Sequence, residues 1–496
     1  MKVNLTYRLR RALVISIPAF WCVVPQQAAA GGLTQPLVQW PSWQELLRVL
    51  TFQDYNTRVV IIGATLLGLA AGLVGTFLLL RKRALLSDTI SHATLPGIAI
   101  AFIVMSLALG DGKNLLGLIA GAALFSVIGT AAVMVIQKYT RLKEDAALGI
   151  VLSVFFGLGI ALMGMATRMS TGNAAGLSSF IYGKTASMLF FDAMLIALAA
   201  LGAIVFCVLF FKEFSLICFD ADYGATQGWP VHRLDFLMMT LVVVVTVIGL
   251  QAVGLILVVA LLIIPSAAAR FWTFSLRRML LLSGLFGALS GMLGAGLSAL
   301  MANLPAGAVI VLTASSIFLF SMIFGSARGI LRLLTERIKL RRRIMKENLL
   351  RDIYEWFESA RPKGEKEQPR PPGEDLAGPR PGQLLNRRAW SPRGLQRTIA
   401  RLKASKDIVL DADDRIVFTD RGETAAGEVV RKHRLWEAYL ISHADVATAM
   451  VDLSADRIEH ILDEEIIGQL EKLFPGVKPK ELPKSPHALP AARGAA

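Results

Sequence analysis

Asp88 and His92 stand four residues apart in the run Ser87-Asp88-Thr89-Ile90-Ser91-His92-Ala93-Thr94-Leu95-Pro96-Gly97, within a stretch that is otherwise almost wholly apolar. Residues i and i+4 of a helix share one face, so a carboxylate oxygen and an imidazole nitrogen would be offered together. Those two donors are half of a site for a divalent transition metal. Ionisable groups in a bilayer are costly and line polar pathways. The plainer alternative is a pair that caps a helix at the membrane interface, and the preceding Arg81-Lys82-Arg83 keeps it open. Pro96 removes a backbone donor one turn beyond His92 and is expected to loosen the helix there, a geometry that ion sites use.

The elements that must position this pair are membrane helices. Of 496 residues, 54% are hydrophobic and 18% charged, the composition of a polytopic membrane protein. Apolar runs lie near 58–80, 90–109, 115–136, 146–166, 188–211, 234–250, 252–268, 279–300 and 306–325, most of them near the ~20 residues that a spanning helix needs. Basic residues at 81–83, at Lys138, Arg141 and Lys143, at Lys212, at Arg270, Arg277 and Arg278, and beyond Arg328 mark cytoplasmic ends. Together they ask for 8–9 spans, with 234–268 going out and back as two short helices that turn near Gln251. Gly68, Gly72 and Gly75, and Gly284, Gly287, Gly291 and Gly294, recur at spacings that allow close helix packing. The N-terminus carries Lys2, Arg8, Arg10 and Arg11, an apolar run from Ala12 to Val24 and the small residues Ala28-Ala29-Ala30. It reads as a signal peptide or an N-terminal membrane segment over 1–30, followed by a periplasmic lead over 31–57. Cys22, Cys207 and Cys218 have no CxxC spacing, which argues against a disulfide framework or zinc finger. No GxxxxGK[ST] loop occurs, so the chain is no ATPase and no other enzyme is indicated.

The segment Leu78 to Arg81 through Ser87 to Gly97 resembles the signature of the zinc/manganese/iron permease family of ABC transporters. Further passages agree: Gly172 to Gly176, Phe219 to Gly228, Val253-Gly254 and Leu262 to Arg270. The resemblance covers roughly 50–335 and places the transmembrane domain at 58–325. It implies a permease of the bacterial inner membrane, working as a homodimer or with a related permease. Its partners would be a separate ABC ATPase and a periplasmic metal-binding protein. It also implies that Asp88 and His92 are the metal pair of the translocation path, for transported Mn, Zn or Fe, with no tightly bound cofactor. The loop around Asp220, Ala221, Asp222, Tyr223, Gly224, Gln227 and Gly228 would dock the ATPase.

Past the last span the composition changes. Residues 326–383 read as a basic juxtamembrane helix and a Pro-rich linker. From 384 to 475 a small α+β domain is expected, with a disordered tail over 476–496. Ser391-Pro392 opens a helix with an apolar stripe at Leu395, Ile399 and Leu402; Ile408 to Leu410 and Ile416 to Phe418 form a hairpin; Thr419-Asp-Arg-Gly422 begins a long helix. Helix, hairpin, helix is the plan of a winged helix. This half resembles the diphtheria-toxin-repressor and manganese-repressor family, over Ser391 to Leu402, Val417 to Gly422, Val430 to Leu440 and Asp456 to Leu462. The resemblance implies a helical metal-binding and dimerisation part in which His433, Glu437 and Asp452 fall on one metal site and Asp456, Glu459 and His460 on another. The ligand expected from the family's first helix falls on Asn348, with Arg351 nearby, and neither is a usual ligand there. Arg387, Arg388, Arg393, Arg397 and Arg401 could meet phosphates, and membrane lipid rather than DNA is the expected surface.

The leading function is therefore the permease of a divalent-metal importer, Mn slightly favoured by the tail's resemblance, with a cytoplasmic tail that senses metal and regulates transport. The contrasting function is a membrane-anchored metal-dependent regulator with a degenerate transport domain, which sequence-specific DNA binding by 340–480 would favour.

Overall fold

A computed structural model describes residues 43–109, 114–169, 183, 185, 188–301, 304–360, 377–385, 388, 390–443, 451 and 464–473. The expected signal segment, the passage Gly172 to Gly176, most of the Pro-rich linker, Arg387, Asp452, Asp456, Glu459 and His460 lie outside the described residues. The chain divides into two compact units. One comprises residues up to Arg270 with Phe274–Leu319, the other Phe271–Thr273 with Phe320 onward.

The elements described for the first unit are helices: α1 (Trp43–Leu50), α2 (Tyr55–Leu80), α3 (Ala84–Leu109), α4 (Leu115–Tyr139), α5 (Glu144–Thr167), α6 (Phe190–Leu209), α7 (Phe211–Phe219), α8 (Ala221–Thr226), α9 (Val231–Val253), α10 (Leu255–Arg270), α11 (Leu276–Leu300) and, up to Leu319, α12 (Ala306–Phe324). Among the described residues eight helices are long and apolar enough to cross a membrane, namely α2 to α6, α9, α11 and α12. With α10, shorter at 16 residues, they occupy the nine apolar runs read from the sequence.

Two boundaries differ from expectation. The 234–268 stretch turns at Gly254, not near Gln251, and its first helix is 23 residues long. Gln251 stays helical because its amide donates to Asp192 Oδ1 at 2.7 Å, and Gly254 takes the positive φ of 86° that glycine tolerates best. The second helix starts at Ala84, six residues before the apolar run, and carries both Asp88 and His92 as their spacing asks. Its polar first turns can be buried because Ser87, Thr89, Ser91 and Thr94 satisfy their hydroxyls on carbonyls three or four residues back, at 2.6–3.0 Å.

Helix α2 is buried for most of its length, and the glycines prove to be packing residues. A Cβ on Gly68 would strike the Gly287 carbonyl, and one on Gly287 the Gly68 carbonyl, so α2 and α11 touch backbone to backbone. Beside that contact Ser283 Oγ donates to the Gly72 carbonyl at 2.6 Å, and Ser266 Oγ to the same carbonyl at 3.2 Å. Three helices thus converge on one peptide unit.

The second unit contains α13 (Ile330–Ala360), α14 (Pro381–Leu384), α15 (Pro392–Ala404), β1 (Ile408–Leu410), β2 (Ile416–Phe418), α16 (Asp420–His443) and α17 (Glu464–Leu473). The expected winged-helix parts are present. Ser391 caps α15 by accepting from the Gly394 N–H at 3.2 Å, with Pro392 in the first turn. The strands pair antiparallel with Val409 opposite Val417. Leu349, Ile353 and Phe357 of α13 pack with Leu395, Ile399 and Leu402 of α15, Ile408, Ile416 and Ala426 into one core. The hairpin is braced by Asp407, buried at 1% exposure, which takes Lys346 Nζ at 2.6 Å and the Ser405 hydroxyl at 2.6 Å and faces Arg421 at 3.3 Å.

Candidate metal centres

Asp88 and His92 come together as the i, i+4 spacing requires. His92 Nε2 lies 3.4 Å from Asp88 Oδ1. The flanking Ser87, Thr89, Ile90, Ser91 and Ala93 are all buried, whereas the two side chains keep 35% and 18% exposure. The pair is therefore a half-open polar strip on an otherwise buried stretch of the helix. The Phe156 ring of α5 stands edge-on to His92 at 4.8 Å between centroids and fixes its plane. His92 Nδ1 is buried and has no hydrogen-bond partner among the described residues. A ring nitrogen left like that is costly unless something else claims it. Helix α3 runs through Pro96 without ending, but Pro96 cannot donate to the His92 carbonyl one turn back. Among the described residues no group of three or more His, Cys, Asp and Glu is gathered for a metal, so one copy supplies two side-chain donors here. Burial pushes the Cys218 thiol up to about 12 against the opposing pull of Arg81 and Arg83.

An ionic cluster lies at the start of the same helix, and the sequence reading missed its centre. Asp235 of α9 takes Arg81 at 3.1 Å and Arg83 at 2.7 Å; Arg83 also grips Glu144 of α5, and Arg81 donates to the Ile217 carbonyl of α7 at 2.8 Å. The corner between α2 and α3 is thereby tied to α5, α7 and α9. The signal that could have found it is a lone acid near the start of an apolar span, in a chain with three basic residues in a row at another span's end.

The loop residues lie where α7 gives way to α8. Asp220 caps α8, accepting from the Tyr223 N–H at 2.8 Å. Asp222, Gln227 and Gly228 are exposed, Ala221 is half-buried and Gly224 is buried. Phe219, Tyr223 and Trp229 expose aromatic rings together, and Gly228 at φ 82° turns the chain back.

In the tail, His433 and Glu437 also meet, with Nε2 3.2 Å from Glu437 Oε1, both fully buried. The ring does not face an open space. A guanidinium nitrogen of Arg351, 1% exposed, lies 2.5 Å from Nδ1 and 3.1 Å from Nε2, and Arg351 Nε is 3.0 Å from Glu355. Guanidinium has donors only, so it claims an imidazole lone pair. The resident regulatory metal that the tail's resemblance implies would need that lone pair and would bring a second positive charge beside the first. The residues described around His433 do not fit it. The basic residues split: Arg388 is not surface-facing, since it donates to Asp352 at 2.6 Å as part of the core, whereas Arg393, Arg397 and Arg401 stand exposed at four-residue spacing along α15.

A bundle with eight helices long and apolar enough to cross a membrane is the architecture of a multi-pass membrane protein. Residues 53–325 match the ABC 3 transport family, and the chain belongs to it. Residues 419–486 match the iron dependent repressor, metal binding and dimerisation domain. The chain is 41% identical over 309 residues to the manganese transport system membrane protein MntC of Bacillus subtilis, spanning 62% of this chain and 70% of that protein. It is 42% identical over 280 residues to the zinc transport system membrane protein TroC of Treponema pallidum, spanning 56% of this chain and 92% of that one. Among solved structures, PsaBC from Streptococcus pneumoniae in complex with Fab aligns at a TM-score of 0.51 and 33% identity, over 59% of this chain and 99% of that one.

Proposed function

We propose that this chain is the membrane subunit of an ATP-driven importer of divalent transition metal, with Mn slightly favoured over Zn and Fe. The observation that carries the proposal is the Asp88–His92 pair, half-open and with a buried ring nitrogen lacking a partner, inside an apolar bundle. Two copies facing one another would bring two carboxylates and two imidazoles to the cargo, an N/O set suited to Mn, Zn or Fe(II). The second copy is this chain or a related permease. Relatives that serve manganese and zinc transport support the substrate class. A periplasmic metal-binding protein would deliver the ion.

Energy enters through a separate ATPase at the Asp220–Gly228 loop, whose exposed aromatic rings suit a protein partner. Displacement of α7 reaches the cargo helix by a short route. Arg81 holds the Ile217 carbonyl and Asp235, and Asp88 follows seven residues later on the neighbouring helix. The basic residues at 81–83 and beyond Arg328 support a cytoplasmic position for this loop and for the tail.

The test is radiometal uptake in cells carrying the permease, its ATPase and its binding protein, with Asp88→Ala and His92→Ala compared at equal membrane levels. Loss of Mn, Zn or Fe uptake supports the path and identifies the cargo. Undiminished uptake in both variants returns the pair to the role of a helix cap.

A further inference from the structure

We infer that the tail carries its own cation in place of a regulatory metal: the Arg351 guanidinium occupies the cation position between α13 and α16, and His433 with Glu437 forms a permanent clamp that divalent metal does not enter. The ordering of donors gives the clamp its sense. Arg351 can only donate, so the imidazole nitrogen nearest it, Nδ1, accepts. The same guanidinium nitrogen lies 3.1 Å from Nε2, which itself stands 3.2 Å from Glu437 Oε1. The guanidinium thus stands against the imidazole that a metal would need as its ligand, with the carboxylate beside the same ring.

Position and burial agree with this reading. Arg351 and Glu355 are one turn apart on α13, and His433 and Glu437 one turn apart on α16, so four side chains from two helices meet around a single guanidinium. Arg434 of α16 pairs with Glu358 of α13 one turn further on and holds the same two helices. Asn348, a turn before Arg351, buries an Oδ1 that has no hydrogen-bond partner among the described residues, and as a neutral amide it adds no charge to attract a second cation. A metal could reach the lone pair only by expelling a guanidinium that is 1% exposed and already paired with Glu355. The two helices are therefore clamped whatever the metal concentration, and this site does not report on it.

The experiment is hydrogen–deuterium exchange on the full-length chain in lipid nanodiscs, following peptides over 345–358 and 428–442 with and without MnCl2 or ZnCl2. This readout concerns the tail alone and is independent of whether the chain transports metal. In the wild type, both segments are expected to exchange at the same rate with and without metal. Arg351→Glu, which replaces the internal cation with a carboxylate, is expected to exchange at least about tenfold faster without metal and to recover protection when Mn or Zn is added. Arg351→Lys keeps the charge and is expected to exchange a few-fold faster, with no response to metal; it decides the matter if the glutamate variant does not fold. Metal-induced protection of the wild type that His433→Ala abolishes would overturn the inference. So would wild-type exchange in metal-free Arg351→Glu, a folded Arg351→Glu that metal does not protect, or an Arg351→Lys that metal does protect.

Discussion

The same two-residue device occurs twice in this chain, once in each unit, and the surroundings give it opposite characters. On α3 a carboxylate and an imidazole four residues apart stay half-open, with one ring nitrogen unclaimed among the described residues. On α16 an imidazole and a carboxylate at the same spacing are sealed, and a guanidinium from another helix fills the place of an ion. Spacing supplies the donors in both places. Whether they can receive a cation from solution depends on what stands opposite, a half-open face for α3 and Arg351 for α16. The lesson is that a ligand-like pair specifies a geometry, and only its third neighbour specifies a use.

That contrast can be broken most directly at the two imidazoles. His92→Ala is expected to lower metal uptake by about 100-fold or more with an unchanged melting profile, since it removes a cargo donor from a half-open face. His433→Ala is expected to do the reverse, costing the tail about 2–4 kcal/mol in denaturant unfolding because a buried guanidinium and a buried carboxylate lose their link. If the stability loss fell at His92 and the transport loss at His433, the comparison would be inverted. Asp235→Asn leaves Arg81 and Arg83 without their shared counter-charge, and uptake should fall about tenfold while ATP hydrolysis by the partner changes little. An equal fall in both would remove the cluster from the coupling route.

A smaller effect is expected at Asp407. Burial pushes its carboxyl up, but hydrogen bonds from Lys346 and Ser405 and the charges of Lys346 and Arg421 outweigh it and hold the pKa below the usual aspartate value. A depressed carboxylate stabilises fully above its ordinary range, about pH 4, and this contribution is lost as pH falls through the lower folded value. Acid titration of tail unfolding should show that loss in the wild type and not in Asp407→Asn, which at neutral pH is expected to be about 2 kcal/mol less stable. The smallest change is Gly228→Ala. No atom lies within 4 Å of the added Cβ, so its cost is the positive φ alone, about 1 kcal/mol, read as a slight weakening of ATPase binding.

Legibility followed the range of the forces involved. The hairpin strands and the Ser391 cap could be read residue by residue, because turn and cap chemistry is settled within four positions. The spans were legible from apolar length, but the start of α3 was not, since hydroxyls that bond back to their own helix look in sequence like a polar loop. The acid–imidazole pair was visible as a pair. Arg351 could be seen as a poor ligand but not as His433's partner, because 82 residues separate them and no local pattern records a tertiary contact. Asp235 was missed for the same reason, its arginines lying more than 150 residues upstream.

The backbone contact between Gly68 and Gly287 has a mechanical meaning. At that point the two helices meet without intervening side chains, and Ser283 adds a hydroxyl bond to the Gly72 carbonyl one turn on. In the importer proposed above they would travel as one stiff keel. The thin layer of atoms at Gly68 is where the bundle tolerates no added bulk.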